Sequence, residues 1–292
     1  MNQAKKRTLT ALALVAGAVM LASSLLLPTA AEAQTGITTT KHNLGTTAGA
    51  PAGSNQFSGT DEICVFCHTP HGGATGAGNP PLWNKLLPTN GVPTAYTLYS
   101  STTMDAGRAT DGISGNPSIG SVSIACLSCH DGSLAINAVI NAPGSGLTNA
   151  LYTAGTWTAA TSGTPVDPAT GQFGTGIANL GRDLSNDHPI GIQYCGGGYT
   201  TASATGVCAD ADFNAPSSGL IGGTTRVFWV NTDADTTTRT KADLTLYNRD
   251  FGAGGVGPSV ECASCHDPHT TTVTFLRKQN TGSALCLSCH KK

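Results

Sequence analysis

A fold low in regular secondary structure, with short helices and a few short strands packed around covalently bound cofactors, is predicted by three features of the sequence. They are four C-x-x-C-H strings, four histidines outside those strings, and a composition ill suited to a large side-chain core. Only 11% of the 292 residues are charged and 5% are aromatic, while 37 are glycine. Apolar runs with helical or strand period are scarce, so side chains alone bury too little surface. A bulky apolar cofactor supplies what is missing.

The chain opens with Lys5, Lys6 and Arg7, an apolar run over residues 9–27, and Ala31-Glu32-Ala33. That order is a secretory signal peptide, residues 1–33, with cleavage before Gln34. A retained membrane anchor is the rival reading, and the small-residue site directly after the apolar run speaks against it. No later stretch is apolar for long enough to span a bilayer, so the mature chain has no membrane span. Loss of the leader removes three basic residues and one acidic one from a formal charge of −2. The mature chain is acidic, which offers nothing to nucleic acid or an anionic membrane.

Eight of the ten cysteines fall in the strings Cys64-Val-Phe-Cys67-His68, Cys126-Leu-Ser-Cys129-His130, Cys262-Ala-Ser-Cys265-His266 and Cys286-Leu-Ser-Cys289-His290. This is the c-type haem attachment pattern. Two thiols three residues apart add to the two vinyl groups of one porphyrin, and the next residue offers its imidazole to the iron. Zinc is the rival, because paired C-x-x-C motifs build sites of four cysteines. Zinc does not require a histidine after each second cysteine, and all four strings have one. The expected cofactor is haem c, four per chain, with His68, His130, His266 and His290 as proximal ligands. The fold class is a multihaem cytochrome c.

The other histidines are His42, His71, His188 and His269, one for each remaining axial position. Methionine is the usual alternative, and Met104 alone survives in the mature chain. Bis-histidine ligation at all four irons follows. It leaves no open position for substrate and keeps potentials low, so the chain is expected to be an electron-transfer protein and not an enzyme.

His71 and His269 stand three residues after His68 and His266. Three helical residues rise only about 4.5 Å, too little to pass from one porphyrin face to the other. Each must therefore serve a different haem from its neighbour's. The string at Cys286 is the natural site for His269, and that at Cys126 for His71. His42 and His188 are left for the first and third strings. His42 lies early in the mature chain, on an arm that reaches a haem of its own subunit or of a neighbour.

The strings form two units. The first spans 34–140 with its N-terminal arm, and the second spans 260–292. The insert at 141–259 carries His188. Residues 141–180 contain one charge, Asp167, and are loop or short-hairpin material. Runs at 225–231 and 243–247 read as strands of a small antiparallel hairpin. Cys195 and Cys208 lie outside the strings and are expected to form a disulfide, worth on the order of 3 kcal/mol.

The sequence resembles tetrahaem outer-surface cytochromes with doubled C-x-x-C-H units, including the outer-membrane cytochrome E type that polymerises into extracellular nanowires. The resemblance rests on Glu62-Ile-Cys-Val-Phe-Cys-His-Thr-Pro-His71, Pro81-Leu-Trp83, Ala125-Cys-Leu-Ser-Cys-His-Asp-Gly132, Asp183-Leu-Ser-Asn-Asp-His-Pro-Ile190, Val260-Glu-Cys-Ala-Ser-Cys-His-Asp-Pro-His269 and Leu285-Cys-Leu-Ser-Cys-His290. It covers most of the mature chain apart from 141–180. The resemblance implies that His188 is a haem ligand and that protomers join head to tail, a histidine of one ligating a haem of the next. His42 is the candidate for that role. It also implies a homopolymer outside the cell or on its surface, passing electrons to redox proteins or extracellular acceptors. Two alternatives from other classes are a soluble monomeric periplasmic carrier and a multihaem reductase. The reductase needs a five-coordinate iron, for which the histidine count leaves no room. A His42→Ala variant separates filament from carrier.

Overall fold

β-Branched and aromatic residues concentrate between residues 225 and 250, and there the chain is most regular. The computed structural model describes residues 36–75, 80–85, 87, 96–113, 115–144, 147–234 and 238–291. The signal peptide read at 1–33 lies outside them. In chain order the strands are β1 (Gln56–Phe57), β2 (Thr97–Leu98), β3 (Ala138–Asn141), β4 (Leu147–Leu151), β5 (Trp157–Thr158), β6 (Asp183–Leu184), β7 (Ile192–Gln193), β8 (Ser217–Ile221), β9 (Thr225–Val230), β10 (Leu244–Asp250) and β11 (Val256–Val260). The helices are α1 (Ser121–His130), α2 (Cys262–Cys265) and α3 (Cys286–Cys289). Residues Gly36–Lys292 form one compact unit. Among the described residues no helix is long and apolar enough to cross a membrane.

The runs read as a hairpin lie there as β9 and β10, paired antiparallel with Leu246 opposite Phe228. They are the centre of a larger, five-stranded antiparallel sheet in the order β7-β11-β10-β9-β8. Neither added long strand advertises itself. β8 is Ser-Ser-Gly-Leu-Ile and β11 contains Gly257 and Pro258, residues of low strand propensity. Pairing with β9 and β10 supplies what local preference does not. The remaining pairs are short. β1 pairs with β5 and β3 with β4, antiparallel, and β2 runs parallel to β6.

Side chains build three small cores. Tyr194, Tyr199, Phe228, Val230, Leu244 and Leu246 pack on one face of the large sheet and meet Cys289. Leu44, Phe57, Val65, Phe66, Ile136 and Trp157 enclose Cys67 and Cys129. Ile113, Ile119, Leu184, and Ile124 and Leu127 of α1 form the third. Ile124 and Leu127 are fully buried, worth about 1.5–3 kcal/mol each. They fix α1, and with it the second C-x-x-C-H string.

Cys195 and Cys208 are joined by a disulfide, Cα atoms 5.3 Å apart. It ties the loop after β7 beneath the core that meets the fourth string.

Candidate haem-binding sites

Each string folds as one helical turn. The backbone N–H of the histidine donates to the carbonyl of the first cysteine in the first, third and fourth strings, at 2.8, 3.1 and 2.9 Å. The second string is the last turn of α1. Residues three apart share a helix face, so both thiols of a string emerge side by side. In three strings the histidine then leaves the helix and pairs with a crossing segment: His68 with Trp83, His266 with Leu276, His290 with Phe213. The next residue of that segment, Asn84, Arg277 or Asn214, donates its N–H to the carbonyl of the second cysteine at 2.8–2.9 Å. His130 ends its helix instead, and the Leu180 N–H donates to its carbonyl at 2.7 Å.

The rings are oriented by oxygens. Nδ1 of His130 donates to Ala178 O at 2.7 Å, that of His266 to Thr274 O at 2.8 Å, and that of His188 to Pro189 O at 3.0 Å. Nδ1 of His269 meets Asp267 Oδ1 at 3.1 Å. A carbonyl only accepts, so the proton sits on Nδ1 and the Nε2 lone pair is left for a metal. The His269 ring bond and nearby Arg277 hold the Asp267 carboxyl down to about 2. Burial lowers His42 to about 4, and also lowers His68, His130 and His290. Neutral imidazoles are the form that ligates iron.

Two histidine pairs face one another with ring centres 6.2 Å apart (His42 and His130) and 6.3 Å apart (His68 and His269). With metal–imidazole bonds of about 2.0–2.1 Å and about 1.1 Å from nitrogen to ring centre, two imidazoles on opposite sides of one iron sit about 6.2–6.4 Å apart. The spacing suits a shared iron. His188 acts electrostatically on His290. The pairings differ from those expected. His269 meets the first string, not the fourth. His42 meets the second string of its own chain, where it stacks on Phe275 at 4.2 Å. His188 acts on His290 of the fourth string, where the first or third was expected. His71 is exposed, as is His266. Spacing along the sequence carries no information on the long-range neighbour of His269.

Consecutive strings act on one another electrostatically through their cysteines: Cys67 and Cys129, Cys126 and Cys262, and Cys265 with Cys286 and Cys289. Burial pushes Cys67 and Cys289 up to about 12 and Cys265 to about 11, so these sulfurs stay protonated thiols. The attachment points thus follow one another in space in the order of the sequence.

A family model described as the doubled CXXCH motif matches residues 257–292. This segment binds haem c covalently. It contains the third and fourth strings, and a doubled C-x-x-C-H pair supports haem binding and electron transfer by this segment. No curated protein matches the chain. The residues present fit the cofactor: thiols paired on helical turns, four rings bound to oxygen through Nδ1, and two ring pairs at a spacing that would admit an iron.

Several residues that shape these sites carried no sequence signal of their own. Asn84 and Lys85 are fully buried between the first two strings. Glu261, also buried, caps α2 and forms an ion pair with Arg249 between the second and third. In a chain so poor in charge, a Glu directly before an attachment cysteine was the one available hint.

Proposed function

We propose that this chain conducts electrons through four c-type haems, each held between two histidines, as the repeating subunit of an extracellular filament. The observation that carries the reading is the separation of 6.2 and 6.3 Å between histidine rings contributed by distant parts of the chain. In the proposed assignment His68 and His269 hold the iron of the first string, His130 and His42 that of the second, and His290 and His188 that of the fourth. Bound haem supplies a one-electron Fe(III)/Fe(II) couple. Two histidines would hold each iron, which would keep substrate off the metal. The chain's residues also hold Nδ1 of His130, His188, His266 and His269 against an oxygen, which fixes the direction of those rings, and pack the second attachment turn on the third.

The third string supplies His266, and the histidine left over is His71. His42 is already engaged beside His130, so the ligand offered to a neighbouring subunit moves from His42 to His71. His71 is exposed and stands too close to His68 to serve the haem there. His71 of one subunit reaching His266 of the next is a head-to-tail contact that does not close, and such contacts generate fibres. The likeness to outer-membrane cytochrome E-type proteins points the same way.

Intact mass and spin state of the secreted protein, with electron micrographs of wild type and His71→Ala, test this. The expected result is four haems per chain and fibres for wild type. The variant should give single subunits with four haems, one of them high-spin. Fewer than four haems sinks the reading. Unchanged fibres from His71→Ala remove the assignment of the bridging ligand, and a monomeric wild type leaves the soluble carrier in its place.

A further inference from the structure

The oxygens that meet the four bonded histidine rings are of two kinds. Nδ1 of His130, His266 and His188 donates to the main-chain carbonyls of Ala178, Thr274 and Pro189. Nδ1 of His269 lies 3.1 Å from Asp267 Oδ1, a carboxylate oxygen. A carbonyl is a neutral acceptor. A carboxylate is an anionic one, and hydrogen bonds to it are stronger.

Asp267 is held in place for this bond. Its Oδ1 also accepts the backbone N–H of His269 at 3.0 Å, so one oxygen gathers both N–H groups of the same residue. Its own N–H donates to Phe275 O at 2.8 Å, which ties the turn to the segment that crosses His266. Its other oxygen, Oδ2, faces Arg277 Nη1 at 3.6 Å. The Asp267 side chain is 20% exposed. With N–H donors at one oxygen and a cation at the other, the carboxyl stays ionised, titrating at about 2. Carboxylates also act on two of the other rings, Asp131 on His130 and Asp210 on His290, but as charges through space. The ring proton of His130 goes to Ala178 O instead.

We infer that Asp267 is a positioning residue that strengthens His269 as an iron ligand and lowers the reduction potential of the haem at the first string. The inference rests on the assignment of His68 and His269 to that iron. An imidazole whose Nδ1 proton is drawn toward an anion is the more basic ligand at Nε2. Such a ligand favours Fe(III) over Fe(II), and hydrogen bonding behind the axial ligands is one of the means by which a protein sets haem potential. Arg277 does not change the sign. Removing the carboxylate charge loses the anion behind the ring and leaves the guanidinium unopposed, and both changes ease reduction. His266 directly precedes Asp267, so the third-string haem feels the same charge. Its ring proton goes to Thr274 O, so the hydrogen bond acts on the first string alone.

The test is a redox titration of the haem-loaded, full-length protein, wild type against Asp267→Asn, with each haem followed by NMR of its methyl groups. Asparagine keeps the shape and an acceptor oxygen and removes the charge. The first-string haem should become about tenfold easier to reduce, a rise of about 59 mV for a one-electron couple. The third-string haem should rise less, and the second and fourth should stay near wild type. A reading on the unmodified protein stands apart from any variant and decides the matter if Asp267→Asn fails to load haem. In the fully reduced, diamagnetic protein the Nδ1 proton of His269 should resonate downfield of those of His130, His188 and His266. The inference is overturned if that proton resonates with the other three. It is equally overturned if Asp267→Asn with four haems titrates like wild type, or if the third-string haem shifts most. His269→Ala separates this from the reading beneath it. That variant should turn the first-string haem high-spin. If all four haems stay low-spin, the ligand assignment falls, and the role of Asp267 with it.

Discussion

The junction between the first and second strings and the junction between the second and third solve one problem in two ways. Both must hold two attachment turns together in a chain with little apolar surface. The first uses neutral hydrogen bonds to the main chain. Asn84 donates to Val65 O and Asn141 O, and its Oδ1 accepts from the Asn141 N–H at 2.8 Å. Lys85 there donates to the carbonyls of Ala135 and Ile136. The second uses charge against charge. Arg249 pairs with Glu261, reaches Asp111 Oδ1 at 2.7 Å, and donates to Pro117 O at 3.0 Å. Ser123 of α1 donates to Glu261 and accepts from the Cys262 N–H at 3.1 Å, which locks α1 to α2. A Cβ on Gly120 would crowd the Arg249 guanidinium and the Glu261 carboxylate. A satisfied neutral network adds rigidity without burying charge. A buried ion pair costs desolvation and is fragile when one partner is lost.

That contrast is broken most strongly by Arg249→Met. It leaves Glu261 buried without its partner, and burial already raises the pKa of that carboxyl against the pull of Arg249. The expected loss is about 3–5 kcal/mol, read from chemical denaturation of the haem-loaded protein. The double variant Arg249→Met with Glu261→Leu should recover most of it, since an apolar pair of similar volume replaces a buried ion pair at little cost. A double variant as unstable as the single one would mean that Arg249 acts through Pro117 and Asp111 instead.

Asn84→Ala is the matching cut at the other junction. It leaves Val65 O, Asn141 O and the Asn141 N–H without their partner, and unsatisfied buried groups cost about 1–3 kcal/mol. A total near the top of that range is expected. Raised salt should leave it unchanged, because no charge is removed. A salt-dependent loss would show that Lys85 had been displaced along with the amide.

How much of this was legible follows from the range of each interaction. The four strings, the spare histidines and the Cys195–Cys208 pair are local patterns or counts, and the sequence displays them directly. The strands at 225–231 and 243–247 were visible because their own residues favour extended chain. β8 and β11 were not, because they owe their form to neighbours. The partner of His269 depends on bringing together residues near opposite ends of the chain, and spacing along a sequence carries no such information. Lys85 was hidden for a different reason. A lone lysine in a polar-looking stretch reads as surface, and only the crossing of Trp83 over His68 takes it inside.

The finest test of the first junction is Trp83→Phe. The phenyl ring keeps the edge-on packing against His68, now at 5.5 Å between ring centres, and the backbone pairing with His68 needs no side chain. What is lost is the Nε1 bond to Ser128, one neutral hydrogen bond between the first two strings, worth about 1 kcal/mol. Ser128→Ala should cost at least as much, because it leaves the Trp83 Nε1 donor without its acceptor and also removes the Ser128 Oγ bond to Ala125 O. The double variant isolates the coupling. A coupling near zero would mean that Asn84 and Lys85 alone hold the first junction, and that Trp83 acts only as a wall for the His68 ring.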